Sequence, residues 1–358
     1  MTRPDQTRPD QTRPDQTATH VRNSSLELLR IIAMLMIVAH HFSVHGGFSF
    51  PADQITLNRL WTQFIFMGGS LGNDIFVLLS GYFLISSSGI NYHKLFKLWL
   101  RIFFYSAVIY SVFVYFGLKA FSLKAALKSV MPVTKPQWWF ASTYFVMYLL
   151  HPYLNTFLRA MNHEDYKKFL AAAGFYWCII TTLTHSNFGA NNLMNFMLVY
   201  SLAGYFRLWG KDSGSKKFIW YGVLGISINF VSVVLLDIIG LYVPFAGKHA
   251  LYFCGGMMKP MVILSSLCLL LGFRSLNIPH SKIINILASA TFGVYLIHDN
   301  NFVRPFLWRT LFKNASYQDS PYLIPYSIAV ILTVYISCTV IELIRAKIFR
   351  TFSGGRLS

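Results

Sequence analysis

Acidic residues are scarce in this chain: 13 Asp and Glu stand against 31 Lys and Arg in 358 residues, and charged residues of both signs make up only 12%. A soluble domain carries about a quarter, so an ordinary charged, water-exposed surface is excluded over most of the length. Cysteine is rare as well. Cys178, Cys254, Cys268 and Cys338 all lie within apolar runs and no pair has a metal-ligand spacing, which excludes a disulfide framework. There is no P-loop, no dinucleotide fingerprint, no sustained heptad and no HExxH motif, and no metal site is expected. A cleavable signal peptide is not expected either, because the polar start is long and the first apolar run lacks a small-residue cleavage site.

What fills the chain is apolar: 54% hydrophobic residues, 17% of all residues aromatic. Apolar runs recur from residue 26 to residue 344, and none of the polar stretches between them is long enough for a separate soluble domain. The expected fold is all-α, a polytopic transmembrane helix bundle of about ten spans. The spans fall near residues 26–44, 64–85, 99–117, 138–158, 169–184, 192–209, 218–240, 250–272, 283–302 and 322–344. The net charge of +18 does not point to nucleic acid, since the basic residues sit in short clusters between apolar runs, as topology signals and headgroup contacts do. With both termini in the cytoplasm, about 20 basic residues lie inside and about 10 outside. The loop carrying Lys119, Lys124, Lys128 and Lys135 runs against that rule, and reads either as an amphipathic surface helix or as an attractor of an anionic acceptor. The division is a tail at 1–22, a membrane domain at 23–345 and a cytoplasmic tail at 346–358.

Residues 2 to 17 write Thr-Arg-Pro-Asp-Gln three times and begin a fourth copy. Alternating charge, proline and the lack of large apolar residues predict disorder. The codons ACC AGA CCA GAC CAG also spell this unit as the pentanucleotide ACCAG repeated three times. Such a tract gains or loses units by polymerase slippage, so the repeat reads as a genetic on/off switch, that is, phase variation; a neutral repeat or a tag is the plainer alternative.

Four stretches carry residues suited to chemistry. In LELLRIIAMLMIVAHHF, Arg30 and His41 are eleven residues apart, about three turns plus 20°, so they share one helix face at a separation of about 16 Å. Ionisable groups inside a bilayer are costly and mark function by default. His41 suits a general base and Arg30 a fixed guanidinium for a phosphate or carbonyl, although Arg30 could equally snorkel to headgroups beside Glu27. His40 points about 100° away and reads as a bystander. Asp74, in GGSLGNDIFVLLSGYF, is a mid-span carboxylate that needs a partner; His41 would suffice, and local Ser or Asn side chains or Arg30 are alternatives. Ser80 and Gly81 follow in the same span. In ATFGVYLIHDNNF, Tyr295 precedes His298 by one turn, and His298, Asp299 and Asn300 form a polar cluster expected at the outer surface. His151 precedes Pro152 in WWFASTYFVMYLLHPYLN, where it reads as capping a bend. Asp237 and Glu342 are single acids near span ends, expected to be solvated or paired. His45 is grouped with loop histidines that lack clear partners.

These stretches together make the chain resemble acyltransferase family 3, integral-membrane enzymes many of which O-acetylate bacterial surface polysaccharides. NSSLELLRIIAMLMIVAHHFSVHGG is similar to the family's Arg, ten residues, His signature, with Arg30 and His41. GGSLGNDIFVLLSGYFL is similar to its acidic-aromatic-Ser-Gly motif, with Asp74, Ser80 and Gly81. ATFGVYLIHDN is similar to its Tyr-x-x-His element, with Tyr295 and His298. The resemblance spans about residues 24 to 345. It implies catalytic roles for His41 and Asp74, donor binding by Arg30, and acceptor or structural roles for Ser80, Tyr295 and His298. It further implies acetyl-CoA as donor substrate with no bound cofactor, a glycan hydroxyl as acceptor, the bacterial inner membrane as location, and separate polysaccharide-assembly proteins as partners. Some relatives append an SGNH-type esterase domain; the short stretch after the last span resembles the stand-alone members. A glycan or lipid-intermediate exporter is the competing reading, since ten spans with buried charges suit it too, but the two halves show no internal repeat.

Overall fold

The computed structural model describes residues 22–51, 53–186, 189–210 and 215–352. The five-residue repeat lies outside them. Among the described residues all regular structure is helical. The principal helices are α1 (Ser24–His45), α2 (Leu57–Phe66), α3 (Gly68–Leu84), α4 (Tyr92–Tyr115), α5 (Leu123–Val130), α6 (Trp139–Ala160), α7 (His163–Gly174), α8 (Asn192–Leu208), α9 (Lys217–Gly240), α10 (Pro260–Arg274), α11 (Lys282–His298) and α12 (Leu323–Phe352). By length and composition five stretches can cross a membrane: Ser24–His45, Leu57–Leu84, Tyr92–Tyr115, Lys217–Gly240 and Leu323–Thr351. Helix is present at each of the other expected spans; Trp139–Ala160 runs 22 residues without a break through Pro152, and the other four are shorter or interrupted. Residues 169–184 pass through a π turn at Phe175–Ile180. Residues 250–272 are helical only from Pro260, because Gly255-Gly256 and the proline at the first helical position set the boundary there. Ile228, Val231 and Leu235 face outward on α9, where a soluble bundle would carry charge.

Side-chain contacts show which helix ends meet. Ser25 Oγ donates to Leu276 O (2.6 Å) and Ser24 Oγ accepts from Ser281 N (2.9 Å), joining the start of α1 to the loop between α10 and α11. Arg207 Nη1 donates to Tyr82 Oη (3.1 Å), bringing in the ends of α3 and α8. Glu342 of α12, 2% exposed, accepts from Tyr105 of α4 and from both sides of the Arg345 guanidinium. The first helix therefore begins, and the last ends, at one proximal end. At the distal end Asn58 Nδ2 donates to Gln318 O (2.8 Å) and Ser320 O. Arg59 Nη2 meets Asp237 Oδ1 at 2.6 Å, with both residues buried.

The contact that positions the site is that of α3 on α1. A Cβ at Gly68 would stand 2.6 Å from Met36 O, one at Gly69 2.4 Å from the His40 ring, and one at Gly72 2.7 Å from Ala33 O. Without side chains on that face, the two backbones close on each other. His40 is fixed on this seam, its Nδ1 2.6 Å from Phe66 O. The loop with the four lysines folds as α5, a short helix with Leu123 and Leu127 exposed.

Candidate active site

Two polar regions sit on the bundle, one at each end of the face that α1 shares with α11. At the distal end is a histidine chain. His298, the last residue of α11, is fully buried and places Nδ1 2.6 Å from Val294 O. A carbonyl only accepts, so this nitrogen carries the hydrogen and the neutral ring leaves Nε2 as an acceptor. His41 Nδ1 lies 2.8 Å from that Nε2 and must donate to it. In the neutral ring His41 Nε2 is then a bare lone pair, held in place by two successive hydrogen bonds. It faces Asp299 Oδ1 at 3.6 Å; His45 Nε2 is 3.8 Å from the same oxygen, and Arg304 Nε is 3.0 Å from it. Asp299 and Asn300 are 2% and 0% exposed, so the cluster expected at the surface is buried. Tyr295 lies one turn below, its ring 6.4 Å from that of His298 and 5.9 Å from Phe140.

Asp74 is not part of this chain. It is fully buried on α3 and neither carboxylate oxygen has a hydrogen-bond partner among the described residues. The pairing with His41 expected from equal depth is replaced by a hydrogen bond to His298, with Asp299 Oδ1 standing in front of Nε2. The cause is angular. Gly68, Gly69 and Gly72 define the face of α3 that meets α1, and Asp74 lies about 165° from the centre of that face. It shares its direction with Gly81, whose absent Cβ would stand 2.5 Å from Tyr200 O of α8.

At the proximal end a cavity of about 390 Å³ opens among Arg22, Arg30, Ser80, Lys94, Lys97 and Arg101. Arg30 Nη1 pairs with Glu27 Oε2 at 2.6 Å while the residue still lines the cavity, so the two readings of Arg30 coexist. Ser80 donates its hydroxyl to Phe76 O (2.8 Å). The cavity wall on α11 includes Thr291, and Phe140 lines it as well. From Thr291 the same face continues through Tyr295 to His298, at i+4 and i+7, over about 10 Å. Two helices thus run side by side from the basic cavity to the histidine chain. A second cavity of about 680 Å³ opens at the distal end beside Gly46, Gly47, Phe48, Arg309 and Lys313. Arg309 Nε reaches His45 O at 3.4 Å.

Sequence reasoning passed over three members of the site. His45 lies inside α1, four residues after His41, and that spacing alone puts both rings on one side. The sequence shows Asp299 as a neighbour of His298 but carries no sign that its carboxylate is buried. Arg304 gave no signal, because the turn after α11 brings it back. His41, His45 and Asp299 bring three ligand-type atoms within 4.8 Å of one another, although the lack of an HExxH motif argued against a metal.

The family model described as an acyltransferase domain matches residues 23–342 of the chain. No curated protein and no solved structure matches it.

Proposed function

Because the chain belongs to acyltransferase family 3, we propose that it moves an acetyl group from cytoplasmic acetyl-CoA to a hydroxyl of a bacterial surface polysaccharide or of its lipid-linked precursor. The observation that carries this reading is the pair of connected polar regions: a cationic cavity at one end and a histidine with a bare Nε2 at the other, joined along α1 and α11. The five cations suit the phosphates of the donor, and the pantetheine arm would follow the wall past Ser80 and Tyr295. His41 Nε2 would take the proton of the acceptor hydroxyl as its oxygen attacks the thioester carbonyl. The C–S bond then breaks, and the proton goes to the departing thiolate. An acetyl group carried briefly on Nε2 is the two-step version of the same balance. Enclosure within the bundle keeps water from the thioester.

In this reading all ten helical stretches cross the inner membrane with the proximal end cytoplasmic. That places Lys94, Lys97, Arg101, Arg207 and Arg345 inside, in accord with the positive-inside rule. The distal cavity, with Phe48 and two cations, is the acceptor's side, and polysaccharide-assembly proteins would supply the acceptor. The deciding experiment follows acetyl-CoA-dependent mass gain of surface glycan in membranes carrying the protein; no gain with any envelope glycan of the source cell defeats the reading.

If the Arg30 guanidinium grips a donor phosphate or carbonyl, Arg30→Lys is expected to impair transfer nearly as much as Arg30→Ala, since an ammonium cannot reproduce the planar fork. Full activity in the lysine variant would leave Arg30 as a headgroup contact only. The repeat belongs to the same proposal as a switch on expression. Adding or removing one ACCAG unit in the gene is expected to abolish full-length protein, while three units are silent and residues 2–17 are dispensable for transfer. Natural codons that break the pentanucleotide would remove that basis.

A further inference from the structure

The geometry points to a binding site for a zinc-class divalent ion on His41 Nε2, His45 Nε2 and Asp299 Oδ1, at the distal end of the bundle, where the ion acts as a reversible block of the base. The binding stands on the geometry of the three side chains; the block rests on the acyl-transfer reading above.

The three atoms lie within 4.8 Å of one another, and both histidine nitrogens already face the same carboxylate oxygen at 3.6 and 3.8 Å. Tetrahedral zinc with ligands near 2.1 Å needs edges of about 3.4 Å, so the two histidine–carboxylate edges close by a few tenths of an ångström, while the edge between the two histidines, up to 4.8 Å, closes by as much as about 1.4 Å through rotation of the His45 side chain. The histidines come from successive turns of one rigid helix, which sets both rings on the same side before any ion arrives. The outer support is built as well. A ligating imidazole commonly donates its other N–H to a fixed acceptor, and His41 Nδ1 does so to His298, which is itself anchored on Val294 O. Two imidazoles and one carboxylate select zinc, copper or nickel over magnesium or calcium. Three protein ligands leave a fourth position open. His45, with 24% of its side chain exposed, gives the ion a way in.

Arg304 sets the strength of the site. Its Nε is 3.0 Å from the same Asp299 oxygen, so an arriving dication shares its only anionic ligand with a fixed cation. Two neutral imidazoles, one carboxylate and one guanidinium sum to zero charge before the ion binds. The site therefore holds metal reversibly rather than as a resident cofactor. While bound, the ion occupies the lone pair on His41 Nε2 that deprotonation of an acceptor requires.

The test uses the full chain purified in detergent, with zinc chloride titrated against a chromophoric chelator and Cu²⁺ as a paramagnetic probe. Expected are one ion per chain and nitrogen splitting from two imidazoles. His45→Asn should reduce the splitting to one imidazole, and both His45→Asn and Asp299→Asn should weaken binding by about tenfold or more. Arg304→Gln should tighten binding, a gain that misfolding cannot supply. Binding that is absent, or that persists unchanged in both Asn variants, overturns the site. Acetyl-CoA takes no part in this measurement, so a chain that binds zinc here yet transfers no acetyl group defeats the proposed function and leaves the site standing. In a chain that does transfer acetyl, zinc at saturating occupancy should stop turnover and a chelator should restore it; undiminished turnover would overturn the block.

Discussion

Replacing His41 with alanine is expected to lower acetyl transfer by about 10²–10⁴, the usual worth of a positioned general base, with the protein still present in the membrane at normal level. The ring sits at a polar junction rather than in the apolar core, and 12% of its side chain is exposed, so its removal costs little packing. What is lost is a single oriented lone pair. His298 cannot take over, because its Nε2 serves His41 and its Nδ1 serves Val294 O. Acceptor mass and radiolabel from acetyl-CoA, read at matched membrane levels, check this. More than about a tenth of wild-type transfer in the variant would exclude a general-base role.

The largest expected effect on stability lies elsewhere. Asp237→Ala leaves the Arg59 guanidinium buried without its carboxylate partner. Arg59 Nη2 loses a 2.6 Å ion pair, while Nη1 keeps the carbonyls of Pro51 and Gln54 at 2.6 and 3.0 Å. Breaking a buried pair from one side costs about 3–5 kcal/mol, whereas replacing both partners with apolar residues of similar volume is often neutral or better. The single variant is therefore expected to lose its monodisperse form at a clearly lower temperature in a detergent melting series. Arg59→Met with Asp237→Leu should recover most of the loss. A single variant that melts with the wild type would show that the pair contributes no net stability.

The parts of the site legible in the sequence are those that one helix fixes alone. Arg30 and His41 share a face because helical periodicity leaves no other outcome, and the same rule carries Thr291 through Tyr295 to His298. Contacts between helices were not legible from depth. Span order sets Asp74 and His41 at similar depth, but depth says nothing about rotation, and the rotation of α3 is set by Gly68, Gly69 and Gly72. That glycine face is written in the sequence, and it turns Asp74 away from α1. His45 is hidden because the apolar run ends at residue 44, one residue before the helix itself ends at His45. Asp237 and Glu342, left open as solvated or paired, are both buried and paired, with partners more than 170 residues away in the case of Arg59 and Asp237. Gly255-Gly256 marked a break in the eighth span that apolar composition concealed.

The histidine chain has a further consequence for the energetics of the cell. Hydrogen bonds in series across a bilayer can conduct protons and so dissipate the electrochemical gradient. Here the series runs from His41 to His298 and stops at the carbonyl oxygen of Val294, which has no proton to hand on and no exchangeable hydrogen of its own. A proton accepted at the distal end cannot travel along this route towards the proximal end, and must leave with a product or return to the side from which it came. The chain that orients His41 is therefore also a dead end for charge, which would let the bundle hold the proposed base within the membrane without making it a leak.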